Sequence, residues 1–100
     1  MITFEKLLRR AKTEKIAIHT PNEEQAIALL EALDKRGYKW FFGDKLTEAT
    51  YYERRKNICY DFEMVKYLYV DTVSYESLDW YQRHDYTIIE FTDIDFKENA

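Results

Sequence analysis

The chain has 100 residues, 46% hydrophobic and 34% charged, which is typical of one globular domain and excludes a disordered chain. No apolar run approaches the ~20 residues of a membrane span, and residues 1–10 lack the pattern of a secretion signal, so we expect a cytoplasmic protein. The net charge of -4 divides into +3 over residues 1–57 and -7 over residues 58–100, which disfavours nonspecific nucleic-acid binding through the acidic second part.

The first predicted elements are a short helix and a strand. Apolar residues recur at helical spacing over residues 3–12, with Thr3 placed as the N-cap, so the first 13 residues are assigned to an N-terminal helix. Residues 14–20 then alternate, with Ile16 and Ile18 on one side, which predicts a strand.

A capping box predicts the start of the second helix. The Thr20 hydroxyl can accept a free backbone N–H, Pro21 takes the first helical position, and Glu23 reaches back. Gly37 can adopt the left-handed backbone conformation that ends a helix, so the helix is expected over residues 21–36 and to exit at Gly37. Its predicted apolar stripe consists of Ala26, Ile27, Leu30 and Leu33.

An aromatic run at residues 38–42 follows this helix directly. Alternation predicts a strand with Tyr38, Trp40 and Phe42 on one face, packed on the helix, and the pattern favours a core cluster over a ligand-binding one. Gly43 and Asp44 are predicted to end the strand. We expect residues 46–57 to form an exposed excursion, because their helix-favouring and helix-disfavouring residues are mixed.

The second half predicts three strands and one helix. Residues 58–63 and 67–73 are predicted as neighbouring strands. A short helix is expected after them, capped by Ser74 and with Tyr75 on its apolar side. Residues 86–91 predict a final strand, and residues 93–100 a frayed acidic tail.

This order of elements predicts one α+β domain over residues 1–100. The expected architecture is a sandwich with a mostly antiparallel or mixed sheet of about five strands and two to three helices, the two later helices covering one face. A ferredoxin-like arrangement with an added strand is one solution.

Residues that could carry chemistry form no recognisable signature. His19 and His84 have no zinc-site spacing, and a single cysteine, Cys59, can make neither an intrachain disulfide nor a zinc cluster. A buried Cys59 is favoured over a reactive thiol. Two glycines do not form a phosphate-binding loop. We therefore expect no metal, no cofactor and no enzymatic activity.

A tyrosine-rich acidic segment is the first candidate binding surface. Alternation places Tyr67, Tyr69 and Asp71 on one strand face, beside acidic residues of the preceding strand. Tyrosine is enriched at protein interfaces, so these residues are predicted to contact a partner, although the first helix could instead cover them as second-layer core. The full predicted partner-binding set is Tyr67, Tyr69, Asp71, Glu76 and Asp79.

A second candidate surface combines aromatic and basic residues. Adjacent rings and cations can stack on a base and hold a phosphate, as nucleotide sites do. The alternative, which the sequence favours, is a solvated turn. The predicted ligand-binding set is Tyr51, Tyr52, Arg54, Arg55 and Lys56.

Three segments carry a resemblance to a known group. They are "ALLEALDKRGYKWFFGDKLTE", "NICYD" and "VSYESLDWYQRHDYTIIEF", in which a helix runs into a Gly-Tyr-x-Trp strand, a Cys-Tyr pair opens a strand, and Tyr-x-Ile-Ile-x-Phe closes the domain. Over residues 15–95 the chain resembles small accessory proteins of phages and prophages of Gram-positive bacteria. These motifs concern packing and include no catalytic residues.

The resemblance implies a setting in the cytoplasm of an infected or lysogenic host. Such proteins often counter host defence, by docking on a defence protein such as a CRISPR nuclease or by sequestering a nucleotide signal. The expected function is a non-enzymatic inhibitor that binds a host protein, one that itself binds nucleic acid, through the acidic, tyrosine-rich surface. An oligomeric nucleotide sponge and a structural or virion-associated protein are the alternatives. No membrane and no direct nucleic-acid contact are expected.

Overall fold

Regular elements follow one another through residues 1–65 and 70–97, the part of the chain that the computed structural model describes. The helices in this part are α1 (Phe4–Arg10), α2 (Glu23–Asp34) and α3 (Leu78–Arg83). The strands are β1 (Ile2–Thr3), β2 (Ile16–His19), β3 (Lys39–Trp40), β4 (Ile58–Val65), β5 (Val70–Ser77), β6 (Thr87–Glu90) and β7 (Ile94–Asp95). None of these helices has the length and apolarity to cross a membrane.

The described strands form a mixed five-stranded sheet in the order β3-β5-β4-β2-β6 and a small parallel pair, β1 with β7. In the large sheet β4 pairs antiparallel with β2 and β5, while β6 lies parallel to β2 and β3 parallel to β5. The predicted α+β class and sheet of about five strands are confirmed. The parallel pairs at both edges distinguish the arrangement from an antiparallel ferredoxin-like sheet.

The helices cover the sheet differently from the prediction. Apolar residues of α1 and α2 pack on one face, against Ile16, Ile18 and Tyr60, whereas α3 packs on the other. We call these the α1/α2 face and the α3 face. The expectation that the two later helices share a face is wrong, because β2 and β4 are central strands with residues buried on both faces.

Helix α2 begins two residues later than the predicted capping box. Asn22 is the N-cap, and its side chain accepts the Gln25 N–H at 2.9 Å. Thr20 is fully buried, and its hydroxyl has no hydrogen-bond partner among the described residues. Leu29 joins the buried stripe of α2, whereas Ile27 is 41% exposed. The predicted exit is confirmed, since Gly37 has a φ of +86°.

The later boundaries also shift. Strand β5 extends to Ser77, which caps α3 by accepting the Trp80 N–H at 3.1 Å, so Ser74 and Tyr75 lie in the strand. In the predicted excursion, the short 3-10 turns Leu46–Glu48 and Tyr52–Arg54 appear, and Leu46 is fully buried. Part of the predicted frayed tail is ordered, because Ile94 is buried and pairs with Ile2.

Candidate functional site

Two phenylalanines lie at the tip of a tight turn after β3. The Gly43 N–H donates to the Trp40 carbonyl at 2.8 Å, so Phe41 and Phe42 are the central residues of a β-turn. They are 59% and 46% exposed. Glycine, proline, asparagine, aspartate and serine usually hold such positions. The predicted strand over residues 38–42 is therefore cut short, and half of its aromatic cluster faces solvent.

The turn lies on a base of aromatic rings that contact one another. Trp40 is 1% exposed, and its ring meets Tyr51 at 5.1 Å and Tyr75 at 5.8 Å, both edge to face. Phe42 lies nearly parallel to Trp40 at 6.1 Å and also contacts Tyr51. These five side chains, including Phe41, form one surface with a buried centre, which we call the aromatic edge.

Tyr51 holds its place in the aromatic edge through an unusual backbone. Its φ is 55°, in the left-handed region that a bulky residue rarely adopts. Its ring stacks on Tyr75 at 5.1 Å with an interplanar angle of 17°. Backbone conformations of this kind concentrate at functional sites, where the surrounding structure maintains them.

Positive charges border the aromatic edge. The Arg54 guanidinium lies over the Tyr51 ring at 5.7 Å and Arg55 over Tyr75 at 5.6 Å. Arg55 also forms an ion pair with Glu76 at 3.0 Å. On the other side of the turn, Lys39 and Lys45 stand directly opposite each other in an isolated antiparallel bridge.

The predicted partner-binding residues do not form a single surface in the described structure. Tyr67 and Tyr69 lie outside the described residues. Asp71 pairs with Met64 on the α1/α2 side of β5, whereas Glu76 pairs with Cys59 on the α3 side. Asp79 is exposed on α3, where it forms an ion pair with Arg83 at 3.0 Å.

Asp71 lies on the opposite face of the sheet from the acidic residues expected beside it. Asp61 pairs with Ser74 and Glu63 with Thr72, so both lie on the α3 side of the sheet. The predicted face, with Asp71 beside Asp61 and Glu63, is wrong for these residues, because the β4–β5 register places them on opposite sides.

Three of the predicted ligand-binding residues do come together. Tyr51, Tyr52 and Arg54 line one depression of about 460 Å³, together with Glu23 and Glu53. Tyr52 is already engaged, since its hydroxyl donates to the Pro21 carbonyl at 2.6 Å. Arg55 and Lys56 are not among the lining residues, and Arg55 turns instead to Glu76.

A half-buried carboxylate, that of Asp61, lies on the α3 face. The Tyr81 hydroxyl donates to Asp61 at 2.6 Å, and the Tyr86 hydroxyl lies 3.4 Å from the other carboxylate oxygen. Burial raises the pKa of Asp61 above its ordinary value of 3.8, and the Tyr81 hydrogen bond opposes this rise. Burial likewise raises the pKa of Tyr81, and the Asp61 charge adds to the effect. The cluster ties α3 to the sheet.

A histidine, a cysteine and a glutamate lie side by side across three strands of the same face. His19 pairs with Cys59 on β4 and with Glu90 on β6, and its Nδ1 lies 2.8 Å from the Glu90 carboxylate. Burial and the Glu90 charge raise the pKa of the Cys59 thiol to about 12, so it stays protonated at neutral pH. Among the described residues, no group of such side chains is arranged to hold a metal ion.

Comparison with known proteins adds no family assignment: no protein-family model, no curated protein and no solved structure matches the chain. The resemblance to phage accessory proteins therefore stays an expectation from the sequence. Among the surfaces of the described residues, the aromatic edge is the strongest candidate for function.

Sequence reasoning missed Phe41, Phe42 and Tyr75 as surface residues. The signal for the turn was present, since Gly43 and Asp44 directly follow the two phenylalanines. A turn predicted over residues 40–43, and not at Gly43 and Asp44 alone, would have placed both phenylalanine rings at its tip. Tyr75 was hidden by its assignment to a helix, which only the pairing of β5 with β4 corrects.

Proposed function

We propose that this protein is a non-enzymatic binding module that docks on another protein through the aromatic edge. The observation that carries the proposal is the exposure of Phe41 and Phe42 on the tip of a turn, above the buried Trp40 ring. Exposed apolar side chains at a turn tip contribute little to folding. Clustered on a base of packed rings, they have the chemistry of an interface centre, where aromatic residues supply most of the binding energy.

The packing of rings within the aromatic edge supports the same proposal. Trp40, Tyr51 and Tyr75 contact one another, so the base of the surface is packed before any partner arrives. A surface that is ordered in advance loses less entropy on binding. The resemblance adds an expectation about the partner, namely a host defence protein that the module inhibits, and this stays a prediction.

Site-specific photo-crosslinking in cells tests the proposal. A photoreactive phenylalanine analogue at Phe41 is expected to crosslink a discrete partner protein, and Phe42→Ser should abolish that product. The same analogue at Ile27, an exposed apolar residue on α2, serves as the matched control. If position 41 gives no product beyond those at position 27, or if Phe42→Ser leaves the product unchanged, the proposal is wrong.

Nucleotide binding is a second candidate, favoured by the depression that Tyr51, Tyr52 and Arg54 share. A ligand that binds only the folded state raises thermal stability with its concentration, so a cyclic dinucleotide or NAD should raise the melting temperature. Arg54→Gln should remove the shift, and Arg9→Gln, a change of the same charge on α1, should not. No shift at millimolar nucleotide would contradict this candidate.

A further inference from the structure

We infer that the partner segment received by the aromatic edge is acidic: a short polypeptide stretch that carries aspartate or glutamate beside an apolar side chain. This inference rests on the proposed function and adds the chemistry of the partner. It comes from three cations around the turn, Lys39, Lys45 and Arg54, none of which forms an ion pair with another described residue.

The first observation is the pairing of two lysines. Lys39 and Lys45 are Cα partners in an antiparallel bridge at the base of the turn that presents Phe41 and Phe42. Like charges directly opposite each other destabilise a strand pair. Neither lysine forms an ion pair with another described residue, and Asp44 is the only carboxylate in the sequence between them. An anionic group bound between them would relieve their repulsion.

The second observation is the state of Arg54. Four other arginines in the described chain reach a carboxylate, and they are Arg10, Arg36, Arg55 and Arg83. Arg54 has no ion pair there, and its guanidinium lies over the Tyr51 ring at the border of the aromatic edge. A guanidinium that lies over a ring can still form a bidentate hydrogen bond with a carboxylate in the plane of the guanidinium group. Cations therefore flank the aromatic edge on two sides.

The distribution of charge favours an acidic protein segment over nucleic acid. Duplex DNA carries about one phosphate per 1.7 Å of axis, so it would extend past the cations at the turn. The cations at the turn belong to a chain whose net charge is -4 and whose residues 58–100 carry -7, so a long polyanion would meet repulsion beyond the turn. A short acidic segment can end where the cations end.

Selection from a random peptide library displayed on phage tests this inference with the whole protein as bait. We expect the selected peptides to be rich in aspartate and glutamate beside an aromatic or aliphatic residue. Their binding should require Phe42, as shown by loss with Phe42→Ser, and should weaken as NaCl rises from about 0.05 M to about 0.5 M.

Charge variants then measure the contribution of the cations. The triple change Lys39→Gln, Lys45→Gln and Arg54→Gln should weaken a selected peptide about tenfold, since each exposed charge pair contributes little alone. The triple change Lys6→Gln, Lys12→Gln and Arg9→Gln removes the same charge from α1 and the turn after it and should change affinity less than about twofold. Circular dichroism of both variants confirms that they are folded.

The outcomes separate the inference from the proposed function. Peptides that require Phe42 but show no acidic excess, or that bind the two triple variants equally well, overturn the acidic partner and leave the binding module standing. Failure to select any peptide that requires Phe42 overturns both. An oligothymidine that binds through Phe42 and the three cations more tightly than every peptide replaces the protein segment with single-stranded nucleic acid.

Discussion

The two faces of the central sheet are buried by different means. On the α1/α2 face, aliphatic and aromatic side chains of two helices cover Ile16, Ile18 and Tyr60 with few polar atoms. On the α3 face a helix of six residues packs on Ala17 and Cys59 together with the half-buried Ile88, and a hydrogen bond from Tyr81 to the half-buried Asp61 links it to the sheet. The difference shows that a short helix can dock through a polar contact where it lacks apolar area.

The largest expected effect lies on the α1/α2 face. Leu30→Ala removes a side chain that is 1% exposed, and because the surrounding core relaxes only partly it should lower the free energy of unfolding by about 3 kcal/mol. Urea denaturation followed by circular dichroism measures the change. Ile27→Ala on the same helix is the control and should cost much less, since Ile27 is 41% exposed. Equal losses would show that α2 does not pack as described.

On the α3 face, removing one hydroxyl should have the next largest effect. Tyr81→Phe keeps the ring but leaves the Asp61 carboxylate without its 2.6 Å donor, so the free energy of unfolding should fall by about 1–3 kcal/mol. Tyr86→Phe is the matched control, because its hydroxyl lies farther from Asp61, at 3.4 Å, and its loss should matter less. If Tyr81→Phe leaves the free energy of unfolding unchanged, apolar contacts alone hold α3 on the sheet.

The raised pKa of Asp61 predicts that the stability of the α3 face depends on pH in the acid range. Between the ordinary value of 3.8 and the raised pKa, the folded state keeps a proton that the unfolded state has lost. This contribution to stability is therefore complete below about pH 4 and disappears as pH rises through the raised pKa. Asp61→Asn should remove it, so urea midpoints of the variant should improve relative to the natural chain as pH rises. A difference that is constant with pH would contradict the assignment.

The smallest effect is expected where the α1/α2 face contains a polar atom. Thr20→Val replaces a fully buried hydroxyl that has no partner among the described residues, so stability should stay equal or rise by less than about 1 kcal/mol. Asn22→Ala should instead cost about 1 kcal/mol, because it removes the N-cap of α2. Thermal melts of both variants decide which residue caps the helix. If Thr20→Val lowers stability more than Asn22→Ala does, Thr20 is the N-cap, as the capping box predicts.

Local patterns in the sequence were sufficient for much of the fold. Strands of the large sheet were predicted where apolar residues alternate, although residues 74–77 of β5 were predicted as the start of a helix. The Thr3 cap and the Gly37 exit were predicted because few residue types fit those positions. The helix N-cap was misplaced because Thr20 and Asn22 both fit a cap, and only the tertiary burial of Thr20 separates them. Which face each helix covers depends on contacts between distant segments, and no local pattern encodes those.

The candidate site was predicted only in part. Tyr51 and Arg54 were identified because adjacent rings and cations form a visible pattern. Phe42 was assigned to the core with Tyr38 and Trp40, because a strand pattern continues through it. The strand ends at the turn in which the Gly43 N–H donates to the Trp40 carbonyl at 2.8 Å, and its pairing depends on a long-range contact, the Phe41 N–H donating to the Val73 carbonyl at 3.0 Å. That contact needs β5, which is encoded some thirty residues later.

The pairing of β1 with β7 affects how the protein is made. Ile2 and Ile94 are neighbours in the folded molecule, yet the ribosome must synthesise nearly all the residues between them before the bond pattern can form. During that time α1 lacks the strand that holds its start, and Phe4 lacks Phe96, whose ring lies 5.0 Å away in the finished fold. We therefore expect the contacts of β1 and α1 with residues 94–96 to form last during synthesis.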